Sequence, residues 1–178
     1  MKKSEIRKKI QKLRKKNYSK DIQINFKSII KILRKKKNTK KIIGGYYPYN
    51  YEANVMSILE KLEKKNYIIS LPKIGKNFSM NFFSWSFNDP LNINKYGIPE
   101  PITNKIIKPD ILLVPLVAYD KNYNRIGYGG GFYDRYIKKI KKLKKILTIG
   151  IAFSYQRVKK IPIEKNDIKL DFIITEKN

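Results

Sequence analysis

The chain has no cysteine and no histidine among its 178 residues. Without cysteine there is no disulfide, no thiolate metal site and no sulfur nucleophile. Without histidine, proton transfer near neutral pH falls to carboxylates, lysine, tyrosine or the substrate itself. Acids are scarce too: 14 Asp and Glu stand against 41 Lys and Arg, a formal charge of +27. No apolar run approaches the ~20 residues needed to span a bilayer. The basic opening MKKSEIRKKIQKLRKK is not followed by the apolar stretch of a secretory signal. The chain therefore reads as a soluble cytoplasmic protein with no membrane partner.

What is present is globular. Hydrophobic residues make up 42% of the chain, with 13 Tyr and 8 Phe, enough for one sizeable core. No internal repeat or long linker divides residues 1–178, so a single domain is expected. The positive excess would attract polyanions, which opens one reading as a basic nucleic-acid (RNA)-binding protein. Against it, the lysines are spread along most of the chain rather than gathered on one face or tail. No RNA-module or helix-turn-helix pattern accompanies them. An A/T-rich coding bias would produce the same abundance of Lys, Asn and Ile with no function attached.

Ile6, Ile10 and Leu13 predict an amphipathic helix over residues 2–16. A second is expected from Asp21, as its N-cap, to about Lys36, and a third from Glu52 to Lys65. Strands are expected at 41–47, at 67–71 stopped by Pro72, and weakly at 80–85. Residues 86–109 read mostly as connection. Ile111 to Val117 is continuously apolar, as a strand covered on both faces would be. A surface helix at 136–145 has Ile137, Ile140 and Leu143 as its stripe, and final strands are expected at 146–153 and 172–175. Alternation of strands and helices argues for an α/β fold.

Four of the nine glycines fall in RIGYGGGFYDRY, Arg125 to Tyr136. The order is apolar strand, loop, glycines, helix. Such a loop points backbone N–H groups and a helix N-terminus at a ligand, which favours phosphate. Gly127, Gly129, Gly130 and Gly131 match neither the P-loop nor the dinucleotide fingerprint, and glycines alone could be a tight surface turn. The flanks add chemistry. Arg125 can fork onto phosphate oxygens, Asp134 can hold Mg²⁺, and Tyr128, Phe132 and Tyr133 offer flat faces to a ring.

Arg-Ile-Gly-Tyr-Gly-Gly-Gly-Phe-Tyr-Asp closely resembles the signature of the 5-formyltetrahydrofolate cyclo-ligase family. Further landmarks follow in the family's order: Lys3 and Arg7, Tyr47-Pro48 and Glu52, Leu71-Pro72, Met80-Asn81-Phe82, Glu100-Pro101, Asp110 to Pro115, Ala118-Tyr119-Asp120, Gln156, Ile161-Pro162 and Asp167 to Asp171. The family usually has His-Asp where this chain has Asn166-Asp167, and many relatives have Pro-Gly at Pro115-Leu116.

The resemblance implies a three-layer α/β/α fold with a mainly parallel sheet. It implies ATP- and Mg²⁺-dependent conversion of 5-formyltetrahydrofolate to 5,10-methenyltetrahydrofolate, releasing ADP and phosphate. ATP would meet Lys3, Ser4, Glu5, Ile6 and Arg7, and the loop Arg125, Ile126, Gly127, Tyr128, Gly129, Gly130, Gly131, Phe132 and Tyr133. Tyr47 and Glu52, with Tyr128, the three glycines and Phe132, would contact the folate. Asp134 and Asp167 match the metal positions, and Arg125, Tyr133 and Asp134 are the expected catalytic residues. Taken without the family, Lys3 and Arg7 could be a solvated helix face, Arg125 a surface ion pair, Asp134 an N-cap and Glu52 a helix-start acid. Trp85, the only tryptophan, is expected in the core. The anionic polyglutamate tail of cellular folates would give the basic surface a second use. A monomer is expected.

Overall fold

The computed structural model describes residues 1–19, 21–35 and 42–177. Its helices are α1 (Lys3–Asn17), α2 (Phe26–Lys35), α3 (Met56–Glu63) and α4 (Phe132–Lys141). The strands are β1 (Ile42–Gly44), β2 (Ile68–Ile74), β3 (Met80–Ser84), β4 (Leu91–Ile93), β5 (Pro99–Pro101), β6 (Ile106–Ile107), β7 (Ile111–Pro115), β8 (Ala118–Tyr119), β9 (Arg125–Ile126), β10 (Leu147–Ile151) and β11 (Phe172–Ile174). Seven of them form one sheet in the order β11-β10-β7-β1-β2-β3-β6. The first five are parallel to one another, and β3 runs antiparallel to both its neighbours.

The apolar run at Ile111 behaves as its composition requires. Period-2 alternation sends Ile111 and Leu113 to one face of the sheet and Leu112 and Val114 to the other. The first face packs with Ile29 and Leu33 of α2 and Ile58, Leu59 and Leu62 of α3. The second packs with Tyr136, Ile137 and Ile140 of α4. These are the three expected layers. Helix α1 lies apart, seating Ile6 and Ile10 on Val117, Ala118, Ile126 and Ile161 at the end of β7 and the β8–β9 hairpin. Trp85 is buried in the first core, and its indole N–H donates to the Asp89 carbonyl at 3.2 Å.

Several boundaries depart from the sequence reading. Asp21 does not cap α2; it exchanges hydrogen bonds with Ser19. Asn25 takes that place, its Oδ1 accepting the Lys27 N–H at 3.0 Å. Lys36, the expected end of this helix, and Lys41, the expected start of β1, lie outside the described residues. Glu52 precedes α3 rather than opening it, because residues 49–52 form a turn with Asn50 and Tyr51 at φ of 48° and 61°. Pro72 sits inside β2. The β1 register ends at Ser70, so at Pro72 the missing N–H faces no strand on that side. The 86–109 stretch holds the β4–β5 hairpin and β6. Finally, α4 starts at Phe132 rather than Tyr136, and Leu143 lies beyond its end, exposed.

Candidate active site

Chain order reverses between β1 and β7: the chain leaves β1 for β2 on one side and later returns to β7 on the other. Loops leaving such neighbours diverge and open a crevice at the carboxyl ends of the strands. A cleft of about 1240 Å³ lies there, lined by Tyr46, Tyr47, Tyr49 and Glu52 after β1, Pro115 at the end of β7, the loop 125–135, and Lys2, Lys3, Ser4 and Arg7 at the start of α1. A single drug-sized ligand needs roughly 300–1000 Å³, so this volume suits two ligands side by side.

One end is built for anions. Gly129 and Gly131 have φ of +109° and +65°, values that side-chain-bearing residues rarely adopt. Gly131 delivers the chain directly into α4, so the helix N-terminus opens on the cleft. From the opposite wall Arg7 donates its Nε to the Gly127 carbonyl at 2.8 Å, and its guanidinium lies under Gly129. Lys3 pairs with Asp167 at 2.5 Å and with Glu164 at 3.3 Å. Arg125 is buried and donates Nη2 to Asp134 Oδ1 at 2.7 Å. Its Nε is buried with no partner among the described residues. A buried donor without an acceptor is costly, and an oxygen of an anionic ligand would satisfy it.

Among the described residues no three metal-ligating side chains cluster. Asp134 and Asp167 nevertheless both line the cleft. Mg²⁺ needs only one or two protein carboxylates when phosphate oxygens complete its shell. The pair therefore fits a nucleotide-bound Mg²⁺, and not a cage made by protein alone.

The other end is aromatic and carries one buried acid. Glu52 is 6% exposed, and its carboxylate accepts the Tyr49 N–H at 2.9 Å. Burial pushes its carboxyl up to about 7, although the Tyr49 donor, Arg14 and Tyr128 each pull the other way. Tyr47 lines the same wall. Tyr128 faces Tyr49 with ring centroids 6.1 Å apart. The Tyr133 hydroxyl is buried without a partner among the described residues, and burial followed by the nearby Glu52 charge raises it far above its ordinary range, so it stays a neutral donor.

Of the residues expected at the site, Lys3, Ser4, Arg7, Tyr47, Glu52, Arg125 to Asp134 and Asp167 come together around this cleft, as does Asn166. Glu5 and Ile6 do not line it. The Glu5 carboxylate turns back to accept the Lys2 N–H at 3.0 Å, and Ile6 is buried under β8 and β9. Other landmarks are structural pegs. Asp120 accepts the N–H groups of Asn122, Asn124 and Ile161 and fixes the bend before Arg125. Gln156 donates to the carbonyls of Leu116 and Val117, and Asp171 holds Thr148.

Sequence reasoning missed two contributors. Asn94, Tyr96, Ile98 and Pro99 bring the β4–β5 hairpin to the cleft; the Asn and Gly in NINKYG were its only local signal. Arg14 is 1% exposed and donates to the Tyr128 hydroxyl and to the Asn50 carbonyl at 2.5 Å. Its signal was a spacing of seven from Arg7, two helical turns along one face.

A model of the 5-formyltetrahydrofolate cyclo-ligase family matches residues 1–176. The chain is 33% identical over 138 residues to the 5-formyltetrahydrofolate cyclo-ligase of Haemophilus influenzae, covering 73% of each chain. It is 33% identical over 137 residues to that of Mycoplasma genitalium, covering 76% of this chain and 73% of the relative. Its fold is similar to the solved 5,10-methenyltetrahydrofolate synthetase of Aquifex aeolicus, with TM-score 0.80, 29% identity, and coverage of 100% of this chain and 91% of the other. The synthetase of Mycoplasma pneumoniae aligns with TM-score 0.74 and 25% identity over 99% of both chains.

Proposed function

The chain belongs to the 5-formyltetrahydrofolate cyclo-ligase family and converts 5-formyltetrahydrofolate to 5,10-methenyltetrahydrofolate; from that premise we propose that ATP drives the conversion inside the one cleft described above. The N5-formyl group is an amide, and its oxygen is a poor leaving group. That oxygen attacks the γ-phosphorus of ATP, the bond to ADP breaks, and an iminium phosphate forms. N10 then adds to the activated carbon and gives up its proton, and phosphate departs with the former formyl oxygen. No enzyme nucleophile is required, in keeping with a chain that has neither cysteine nor histidine.

The protein's share is positioning and charge neutralisation. The 127–131 backbone, Arg125, Lys3 and Arg7 hold the triphosphate. Asp134 and Asp167 would hold a Mg²⁺ ion, which when bound neutralises phosphate charge. Glu52, with Tyr47 beside it, accepts the paired N–H donors of the pterin and so orients the ring. The neutral Tyr133 hydroxyl donates to an oxygen of the transferring group.

The observation that carries this reading is the buried Arg125, with an unsatisfied Nε, beneath the glycine loop in the same cleft as Glu52. Purified protein given 5-formyltetrahydrofolate, ATP and Mg²⁺ should develop methenyl absorbance, and Arg125→Ala should remove most of it. Turnover that needs no ATP, or an Arg125→Ala variant with wild-type turnover, refutes the reading.

A further inference from the structure

Arg14 is an arginine where physical cost argues against one. A guanidinium that is 1% exposed has surrendered its hydration, and such burial is tolerated only with compensation. The compensation lies on the folate side of the cleft. Nη2 donates to the Tyr128 hydroxyl and to the Asn50 carbonyl, Nη1 reaches the Leu116 carbonyl at 3.5 Å, and the group sits 5.3 Å from the centre of the Tyr128 ring. Asn50 and Tyr51 are the two left-handed residues of the turn that presents Glu52. Non-glycine residues hold that conformation only where neighbours over-determine it. Arg14 pins one side of the turn through Asn50, and Glu52 pins the other through its own bond from the Tyr49 N–H.

The ionisable groups facing Glu52 are Arg14 from α1, Tyr46 after β1, Tyr128 from the loop and Tyr133 from α4. Burial, the leading cause in all three tyrosines, raises them and keeps them neutral. Arg14 is the cation of the group.

We propose that Arg14 is a positioning residue for the folate half of the cleft: it locks the 49–52 turn and Tyr128 in place and sets its positive charge against the Glu52 carboxyl. The proposal rests on Glu52 being the acid that meets the pterin. One helix then serves both substrates, with Lys3 and Arg7 at the nucleotide end and Arg14 two turns further along.

The test measures KM for 5-formyltetrahydrofolate and for ATP separately, from about pH 6 to about pH 9, in wild type, Arg14→Met, Arg14→Lys and Glu52→Gln. Loss of a buried charge-assisted hydrogen bond corresponds to about tenfold or more. Arg14→Met should raise the folate KM by that factor near pH 7, with ATP KM held within about twofold. The penalty should shrink as pH rises, because higher pH restores the Glu52 anion. Arg14→Lys should keep the wild-type pH profile but not the full affinity, since an ammonium lacks the planar fork that reaches Asn50 and Tyr128 together. Glu52→Gln should raise the folate KM most at high pH, and its own KM should no longer change across the window in which Glu52 titrates.

Wild-type folate KM in both Arg14 variants would overturn the proposal, as would equal rises in both KM values that ignore pH, the signature of a purely structural arginine. If Glu52→Gln has the expected effect in that case, only the role of Arg14 falls. If Glu52→Gln leaves folate KM unchanged, the pterin assignment falls and the proposal with it. Should melting show Arg14→Met unfolded, Arg14→Lys decides by the same criteria.

Discussion

Replacing Asp134 separates what the Arg125–Asp134 pair does for the fold from what it does for the reaction. The Arg125 side chain is 4% exposed and that of Asp134 is 23% exposed, joined at 2.7 Å. Asp134 Oδ1 also accepts the Ile168 N–H at 3.2 Å. Asp134→Ala leaves a buried guanidinium without its counter-charge and a backbone donor without its acceptor. Breaking a buried pair costs about 3–5 kcal/mol. Water reaches the partly exposed aspartate, which places this case near the lower end, about 3 kcal/mol. For a chain of this size, that lowers Tm by about 6–12 °C. Asp134→Asn keeps an acceptor for both donors and should cost about 1–2 kcal/mol. Activity should not follow that ranking. Both variants lack the carboxylate proposed to hold Mg²⁺, and both should lose about a hundredfold or more in kcat. Thermal melts without ligands and methenyl absorbance across a Mg²⁺ titration read the two effects independently. An Asp134→Asn enzyme with wild-type kcat and Mg²⁺ dependence refutes the metal role. An unchanged Tm in Asp134→Ala refutes the argument from the buried pair.

Two further outcomes are expected. The Glu52 carboxyl rises from 4.5 in the unfolded chain to about 7 in the fold, so the native state binds more protons in between, and stability falls as pH rises through that window. Relative to Glu52→Gln, wild type should lose about 3 kcal/mol between about pH 4.5 and about pH 8; denaturant melts showing parallel pH curves for the two proteins would contradict the buried assignment. If the +27 surface attracts the polyglutamate tail, KM for a polyglutamylated substrate should climb with salt more steeply than for the monoglutamate. Equal salt dependence would end that idea.

The parts of the fold that local chemistry dictates were legible in the sequence. Ile111 to Val114 has no polar residue to offer solvent, so burial on both faces was the available solution. The cluster Gly127 to Gly131 was recognisable as a loop whose backbone N–H groups can approach a ligand ahead of a helix. What escaped depends on tertiary context. Pro72 looked like a strand terminator because its N–H is missing, but whether an N–H is needed depends on how far the neighbouring strand runs. Glu52 looked like a helix-start acid, and only the left-handed pair Asn50–Tyr51 moves it out of the helix and into the cleft. Arg14 is set apart from the basic residues around it only by its spacing from Arg7, because burial of a cation is a property of its partners at Asn50, Leu116 and Tyr128. At the glycine-loop end of the cleft the reverse held: Arg125, Asp134 and Asp167 were recognisable as a pattern before any of their contacts were known.

Helix α1 meets the body through one small apolar cluster, Ile6 and Ile10 on Val117, Ala118, Ile126 and Ile161, plus the polar grips of Lys3, Arg7 and Arg14. The sheet and its two large cores do not depend on it. An element so lightly attached can peel away at a lower free energy than global unfolding. On warming, such a molecule would fall silent while its sheet and the two large cores were still intact, and it would recover on cooling for as long as that scaffold stood.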